Sequence, residues 1–143
     1  MYSYSFGLLK PDCYQRGLTD KIMKIILKKD FHFFAIRRLI LTKEDVECIY
    51  IDSRNDCYFE NHCRFMQSGP VTAFIVGSDC AIQRLNELVG YTIPAQASSG
   101  CIRCLGVDIC RNLIHSSSNF HDFVRDSQAI FKGYEFEHFY EEL

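Results

Sequence analysis

One histidine in the C-terminal third of the chain stands where a nucleophile could stand. His115 follows the apolar pair at 113–114 and precedes three serines at 116–118. An imidazole can act as a nucleophile near neutral pH, and serine hydroxyls beside it can hydrogen-bond a charged group. Asp126, on the helix predicted to follow, could orient the ring. A lone histidine is more often structural or merely exposed, so this stretch alone leaves both interpretations open.

Cations elsewhere in the chain could bind an anionic substrate. Lys10 ends the first predicted strand in a Lys-Pro-Asp turn, and Arg103 lies in an irregular stretch shortly before Arg111. A lysine can serve as a point charge for phosphate, and a guanidinium fork matches phosphate oxygens. Taken singly, each also fits a solvated turn lysine or a surface ion pair.

Three aromatic residues bracket the polar stretch that follows the second predicted helix, over 42–50. Tyr50 precedes this stretch, and Tyr58 and Phe59 follow it. Either tyrosine could stack on a nucleotide base. Packing in the core is the alternative, and we favour it for Phe59.

The spacing of apolar residues predicts a mixed α and β domain. Strands are predicted over 2–9, 31–41, 71–76 and 112–115, and helices over 18–28, 42–50 and 58–66, from a Ser78 or Asp79 cap to Val89, and from an Asn119 cap to 131. This order predicts an α+β fold, most simply a ferredoxin-like four-stranded antiparallel sheet with helices packed on it. We expect one domain over 1–143, with a short C-terminal tail at 132–143.

Composition excludes several classes of protein. The chain has 143 residues, 48% of them hydrophobic, and a net charge of −2, so no specific nucleic-acid partner is expected. From the sequence we expect neither a signal peptide nor a membrane span. The eight cysteines therefore predict free thiols in the cytoplasm. The Cys101, Cys104 and Cys110 spacing lacks a second pair of zinc ligands, so no metal ligated by the protein is expected.

Known nucleotide motifs of other folds are absent. The sequence has neither the glycine-rich phosphate loop with its lysine nor the glycine pattern of dinucleotide folds, and it has no serine nucleophile elbow.

Four segments together closely resemble the nucleoside diphosphate kinase family. They are LLKPDCYQRGL (8–18), MQSGPVTAFIV (66–76), LVGYTIPAQASSGCIR (88–103) and RNLIHSSS (111–118). The resemblance implies a ferredoxin-like core that moves the terminal phosphate of a nucleoside triphosphate onto a diphosphate through a phosphohistidine. It further implies ping-pong kinetics, broad base specificity, Mg²⁺ held through nucleotide phosphates, and a homo-oligomer, with a hexamer favoured over a tetramer.

The resemblance also assigns catalytic roles by position. It makes His115 the nucleophile and places Lys10 near the transferred phosphate and the sugar 3′-hydroxyl. Tyr50 matches the tyrosine beside the histidine, and Ser117 matches the serine behind it. Asp126 replaces the glutamate of the family, a longer side chain with the same charge.

Nucleotide-binding roles follow in the same way. The resemblance implies phosphate, sugar or base contacts at six positions: Lys10, Tyr58, Asn86, Thr92, Arg103 and Asn112. Among these, Tyr58 occupies the position of the aromatic that stacks on the base, usually a phenylalanine. Thr92 and Arg103 match phosphate-binding positions, and Asn112 matches the asparagine that binds the sugar.

The chain departs from the family at several of these positions. Asn86 stands where the family has a phosphate-binding arginine, and Arg84, two residues away, points to a nearly opposite helix face. We therefore expect weaker diphosphate binding, by about 1–3 kcal/mol if the lost contact is a charged hydrogen bond. His62 replaces an apolar neighbour of the base. Cys104-Leu105 replaces Gly-Asp, and the loop before Arg111 is one residue shorter.

These departures keep a second reading open. A degenerate family member could bind nucleotide or a protein partner with little turnover, and Asn86 favours that reading. Lys10, Arg103 and His115 favour an active enzyme, as do Tyr50 and Asn112, because a scaffold has no physical need for all five. A nucleic-acid-binding module would need a basic face, for which the composition gives little support.

Overall fold

The structure, a computed structural model, describes residues 1–132. The tail predicted over 132–143 therefore lies, from residue 133 onward, outside the described residues. Four strands are present: β1 (Tyr2–Leu9), β2 (His32–Leu39), β3 (Val71–Asp79) and β4 (Ile114–Ser116). The helices are α1 (Pro11–Gln15), α2 (Thr19–Leu27), α3 (Lys43–Ile49), α4 (Phe59–Met66), α5 (Ala81–Val89) and α6 (Phe120–Ile130).

The strands form one antiparallel sheet in the order β2-β3-β1-β4. Side chains alternate between its two faces. Phe6 and Leu8 of β1 belong to a core cluster with residues of α3, α4 and α6. Leu9 and Phe74 belong to a second cluster with residues of α2 and α5. The predicted ferredoxin-like antiparallel sheet, with helices packed on it, is confirmed.

Local signals explain where several elements begin. Thr42 caps α3 by accepting from the Asp45 amide at 3.2 Å, and the Asp45 carboxylate accepts from the Thr42 amide at 3.0 Å. This reciprocal pair is a capping box, which satisfies amides that the first helical turn leaves free. Asn119 caps α6 by accepting from the Asp122 amide at 2.9 Å. Both predicted caps are confirmed.

Other predicted boundaries were wrong. Ser78 and Asp79 remain in β3, and α5 begins after Cys80, whose φ of 49° is left-handed. The expectation that Pro11 only ends a strand was wrong, because proline also favours the first position of a helix, and α1 begins there.

The predicted last strand is displaced toward the C-terminus. It starts at Ile114 rather than at residue 112, because Leu113 has a φ of 76°, which interrupts extended backbone.

One glycine allows the central strands to pack. Gly7 of β1 lies opposite Phe74 of β3, and a Cβ at position 7 would overlap the Phe74 ring. The close approach keeps β1 buried between the two helical layers, with its C-terminal end beside β4. No helix within residues 1–132 is both long and apolar enough to cross a bilayer.

Candidate active site

The Lys-Pro-Asp turn supports the strand that carries the histidine. His115 lies on edge strand β4, opposite Leu8 of β1. The chain enters β4 through Leu113, whose left-handed backbone costs about 1–2 kcal/mol for an L-residue. Two hydrogen bonds hold this turn: the Lys10 amide donates to the Leu113 carbonyl at 2.8 Å, and the Leu113 amide donates to Asp12 Oδ2 at 3.2 Å. Lys10 and Asp12 therefore position the segment that carries His115.

His115 is oriented from behind by a buried carboxylate. Its Nε2 lies 3.0 Å from Asp126 Oδ2, an oxygen that also accepts from the Ser117 hydroxyl at 2.7 Å. Arg125 Nε donates to Asp126 Oδ1 at 3.0 Å. Since a carboxylate only accepts, Nε2 carries the ring proton and the lone pair lies on Nδ1. Nδ1 is thus the nitrogen able to act as a nucleophile.

Asp126 stays ionised although it is fully buried. Burial by itself would raise the pKa of its carboxyl group. Hydrogen bonds from His115 and Ser117, together with the charge of Arg125, outweigh burial and lower the pKa below its usual value. The sequence-based expectation that Asp126 faces back toward the imidazole is met in this geometry.

An open cleft of about 270 Å³ lies in front of the histidine. Five of the ten predicted site residues line it: Tyr50, Asn86, Thr92, Arg103 and His115. They come from the end of α3, from α5, from the irregular segment after α5 and from β4. The remaining predicted site residues, which do not line it, are Lys10, Tyr58, Asn112, Ser117 and Asp126.

Arg103 reaches the cleft from the irregular segment. Its Nε and Nη2 donate to the Ile114 carbonyl at 3.2 and 2.9 Å, and Nη1 donates to the Gly90 carbonyl at 3.3 Å. In the described part of the chain, these hydrogen bonds run to carbonyl oxygens rather than to carboxylates. Burial lowers the pKa of its guanidinium group. An arginine nevertheless keeps its proton in proteins. The cleft therefore contains a positive charge that is available to an anion.

Tyr50 forms an aromatic wall between the histidine and the interior. Its ring centroid lies 5.0 Å from that of His115 and 4.5 Å from that of His62. Its hydroxyl is buried and has no hydrogen-bond partner among the described residues. Burial raises the pKa of this phenol well above its usual value, so Tyr50 remains a neutral donor.

Lys10 lies behind this wall, and only 2% of its surface is exposed. Its Nζ is 3.1 Å from His62 Nε2, 3.1 Å from the Cys110 carbonyl oxygen and 5.6 Å from the Tyr50 ring centroid. Burial, and secondarily the charge of Arg103, lowers the pKa of Lys10 to about 7. Its ammonium group is therefore close to losing its proton at neutral pH.

The side-chain nitrogen of Asn112 is hydrogen-bonded within the described part of the chain, whereas its side-chain oxygen is not. Its Nδ2 donates to the carbonyl oxygens of Thr92 and Ile109 at 2.9 and 3.0 Å. Its Oδ1 is buried without a partner among the described residues. An unpaired buried acceptor of this kind suits a ligand hydroxyl.

Tyr58, the residue predicted to stack on the base, lies outside the cleft lining. The Tyr58 hydroxyl donates to Asp56 at 3.0 Å, and the residue is half-buried beyond the cleft lining. Phe59 is buried in the core, as we favoured from the sequence.

Arg111 pairs with Asp108 at 2.6 Å on the surface, which matches its ion-pair interpretation.

Asn86 occupies the cleft wall as a structural amide. Its Nδ2 donates to the Ser117 carbonyl at 3.1 Å, and its Oδ1 accepts from the Ser116 hydroxyl at 2.6 Å. Arg84 does not replace the missing cation, because it contacts Ser78 and the Lys29 carbonyl and stacks over Phe31 on the other side of α5.

Arg125 is a site residue that sequence reasoning missed. It lines the cleft, and Nη1 lies 3.4 Å from Asp52 and 3.3 Å from Asp122, while Nη2 donates to the Ile49 carbonyl at 2.9 Å. It links α6 to the end of α3 and holds the second oxygen of Asp126. The sequence signal was faint, since a charged neighbour of a buried carboxylate reads as an ordinary surface residue.

The described residues contain no group of three or more histidine, cysteine or acidic side chains placed to hold a metal ion.

Comparisons with known proteins agree with this arrangement. Residues 3–136 match the family model described as nucleoside diphosphate kinase. The chain is 35% identical over 113 residues to a nucleoside diphosphate kinase of Persephonella marina, covering 78% of this chain and 81% of that protein. It is 30% identical to one of Lawsonia intracellularis, covering 92% of this chain and 96% of that protein.

Solved structures show the same likeness. A nucleoside diphosphate kinase of Aquifex aeolicus superposes with a TM-score of 0.88 at 28% identity, covering 93% of this chain and 97% of that chain. A halophilic nucleoside diphosphate kinase of Halobacterium salinarum, in complex with CDP, gives a TM-score of 0.88 at 27% identity, covering 92% and 89% of the two chains. With a family match over nearly the whole chain, the protein belongs to the nucleoside diphosphate kinase family.

Proposed function

We propose that the protein transfers the γ-phosphate of a nucleoside triphosphate to a nucleoside diphosphate through a phosphohistidine at His115. The observation that carries this proposal is the pairing of His115 Nε2 with buried Asp126, which leaves Nδ1 as the nucleophilic nitrogen of a ring that lines the cleft. Family membership supports phosphate transfer between nucleotides. We propose the whole chain, 1–143, as one domain for this activity, with a short tail at 132–143.

The reaction divides into two mirrored displacements. Nδ1 of His115 attacks the γ-phosphorus in line, the N–P bond forms, and the bond from phosphorus to the bridging oxygen breaks as the diphosphate departs. After nucleotide exchange, a terminal oxygen of the second diphosphate attacks the same phosphorus and the N–P bond breaks. The ring proton on Nε2 stays with His115, where Asp126 stabilises the positive charge that develops on the imidazole. Ping-pong kinetics follow from the shared intermediate.

Charged and polar side chains position the phosphates. Arg103 and Lys10 offset charge on the transferred group and the leaving oxygens, and Thr92 contacts phosphate from the cleft wall. Asn112 Oδ1, which is unpartnered, accepts from a sugar hydroxyl, and the Tyr50 hydroxyl donates to the reacting group. Tyr58 stacks on the base, which gives affinity for every base and hence broad specificity.

A divalent cation, which we propose to be Mg²⁺, enters as part of the nucleotide substrate. When bound, such an ion would neutralise phosphate charge that the cleft, with Asn86 in place of an arginine, does not offset. The protein holds the complex through Lys10, Arg103 and Thr92.

Labelling with γ-labelled nucleoside triphosphate tests the covalent step. We expect the purified protein to acquire a label that is labile in acid and stable in base, and to pass it to added diphosphate. His115→Ala should acquire none, whereas His121→Ala, which removes an exposed histidine on α6, should label normally. Labelling of His115→Ala would overturn the proposal.

The position of Asn86 favours a second candidate, a nucleotide-binding member with little turnover. Asn86 stands where the resemblance implies an arginine, so one cation is missing. Its amide is already hydrogen-bonded to Ser116 and Ser117. Calorimetry with a diphosphate, run beside the labelling assay, separates the two. Binding without any label on His115 would support this candidate over the enzyme.

We also propose a homo-oligomer, with a hexamer favoured over a tetramer. Edge strand β2 exposes Phe34 and Ile36, an apolar surface that a second copy could cover. Light scattering at several protein concentrations measures the number of copies. We infer a cytoplasmic location from the cysteine use, because free thiols suit a reducing compartment.

A further inference from the structure

A buried lysine–histidine contact lies next to the proposed catalytic group. Lys10 Nζ is 3.1 Å from Nε2 of His62, a residue of α4 that is 5% exposed. The His62 ring also packs edge-on against Tyr50, with centroids 4.5 Å apart. By the resemblance, His62 stands where the family has an apolar neighbour of the base.

The direction of the hydrogen bond follows from the chemistry of the two groups. An ammonium can only donate, so His62 Nε2 accepts, and the imidazole is neutral with its proton on Nδ1. Burial, together with the charges of Lys10 and His115, lowers the pKa of His62 to about 3, which keeps it an acceptor across the physiological range.

The contact leaves the lysine ready for a ligand. An ammonium has three N–H donors, and the Cys110 carbonyl and His62 account for two of them. Among the described residues no acceptor is seen for the third, which is left for a phosphate oxygen. An apolar side chain at position 62 would leave this buried ammonium with one protein acceptor, and a charged donor without an acceptor costs more than a neutral one.

Other groups around Lys10 act on it as well. The charge of Arg103 lowers the pKa of Lys10, whereas Asp12, Asp108 and Cys110 raise it. The titratable and charged groups that face Lys10 are His62 on α4, Tyr50 at the end of α3, Arg103 in the irregular segment, Asp12 on α1, and Asp108 and Cys110 before β4. Of these, His62 supplies the neutral side-chain acceptor in direct contact.

We propose that His62 is a positioning residue for Lys10: its neutral imidazole holds the buried ammonium in place and in its cationic form before the nucleotide arrives. This inference rests on the proposed role of Lys10 toward phosphate. It assigns to position 62 a function in charge positioning rather than in base packing.

Carbon-13 NMR of protein carrying labelled lysine tests the contact without any substrate. The Lys10 Cε resonance is identified by its loss in Lys10→Met, and its titration midpoint is then measured. His62→Leu and His62→Phe should lower that midpoint by about one pH unit, since they remove one charged hydrogen bond. His62→Gln, whose Oε1 can replace Nε2 as the acceptor, should restore most of the shift.

Matched controls keep the result interpretable. His32→Leu removes an exposed histidine of β2 and should leave the midpoint unchanged. The two apolar variants differ in shape, so the test survives if one of them does not fold, and near-UV circular dichroism identifies which are native. An unchanged or raised midpoint in a folded apolar variant overturns the inference.

Kinetics separate this inference from the proposed function. The alkaline limb of kcat/KM should move to lower pH in the apolar variants and return in His62→Gln, with a smaller change in kcat at saturation. If the unmodified protein transfers no phosphate but the apolar variants shift the Lys10 midpoint, the proposed function is overturned and the contact is supported. Normal transfer with an unshifted midpoint would overturn the role of His62 alone.

Discussion

The two sides of the cleft differ in how fully their polar atoms are paired. Behind His115, Asp126 accepts from the histidine, from Ser117 and from Arg125. On the side assigned to the nucleotide, the Tyr50 hydroxyl and, beyond the cleft lining, Asn112 Oδ1 are buried without partners among the described residues. Each unpaired buried group costs about 1–3 kcal/mol. The nucleophile is thus organised in advance, whereas the nucleotide side is completed by the ligand.

Breaking the organised side should have the largest effect. Asp126→Asn keeps the shape but presents an amide, which can donate to Nε2 and favour the wrong tautomer of His115. We expect kcat to fall by about 10³-fold with a small change in KM. Steady-state kinetics measure both, and Asp20→Asn on the exposed face of α2 is the matched control. A KM effect without a kcat effect would place Asp126 on the nucleotide side instead.

The incomplete side should instead respond to pH. Because the pKa of Lys10 is lowered to about 7, its cation is present below that pH and lost above it. The kcat/KM ratio reports the free enzyme and should fall about tenfold per pH unit once pH exceeds this value. Bound phosphate favours the ammonium, so kcat should persist to higher pH. Parallel profiles for kcat and kcat/KM would contradict this difference.

Adding a cation to the incomplete side should tighten binding. Asn86→Arg places a guanidinium at the cleft, and we expect the KM for nucleoside diphosphate to fall about tenfold, as one charged hydrogen bond permits. The same change removes the amide contacts to Ser116 and Ser117, so kcat should decline slightly. Gln83→Arg adds equal charge on an exposed position of α5. An unchanged KM in Asn86→Arg would mean that another group already fills the role.

The smallest effect should come from one hydroxyl of the organised side. Ser117→Ala removes the donor to Asp126 Oδ2, a contact of 2.7 Å, but leaves the bonds from His115 and Arg125. We expect kcat to fall about fivefold, the value of an ordinary hydrogen bond. A loss as large as that of Asp126→Asn would show that Ser117 holds the β4 backbone as well as the carboxylate.

The sequence predicted helix starts correctly where the cap is formed by near neighbours in the chain. Thr42 with Asp45, and Asn119 with Asp122, marked helix starts because a cap is a contact between near neighbours. The cap predicted for α5 failed because Ser78 and Asp79 pair across the sheet with β1, and tertiary pairing overrides a local signal. Leu113 took a left-handed turn because Lys10 and Asp12, distant in sequence, hold it there.

The sequence by itself determined the family, the alternating core and the identities of the groups proposed for chemistry, since motif spacing and apolar periodicity are properties of the linear chain. Only the tertiary structure decided which nitrogen of His115 faces Asp126, that Asn86 is occupied by its neighbours, and that Lys10 meets His62. These contacts join residues on different elements, and their distances depend on how the helices pack against the sheet. Hydrogen bonds are sensitive to tenths of an ångström, which linear spacing cannot specify.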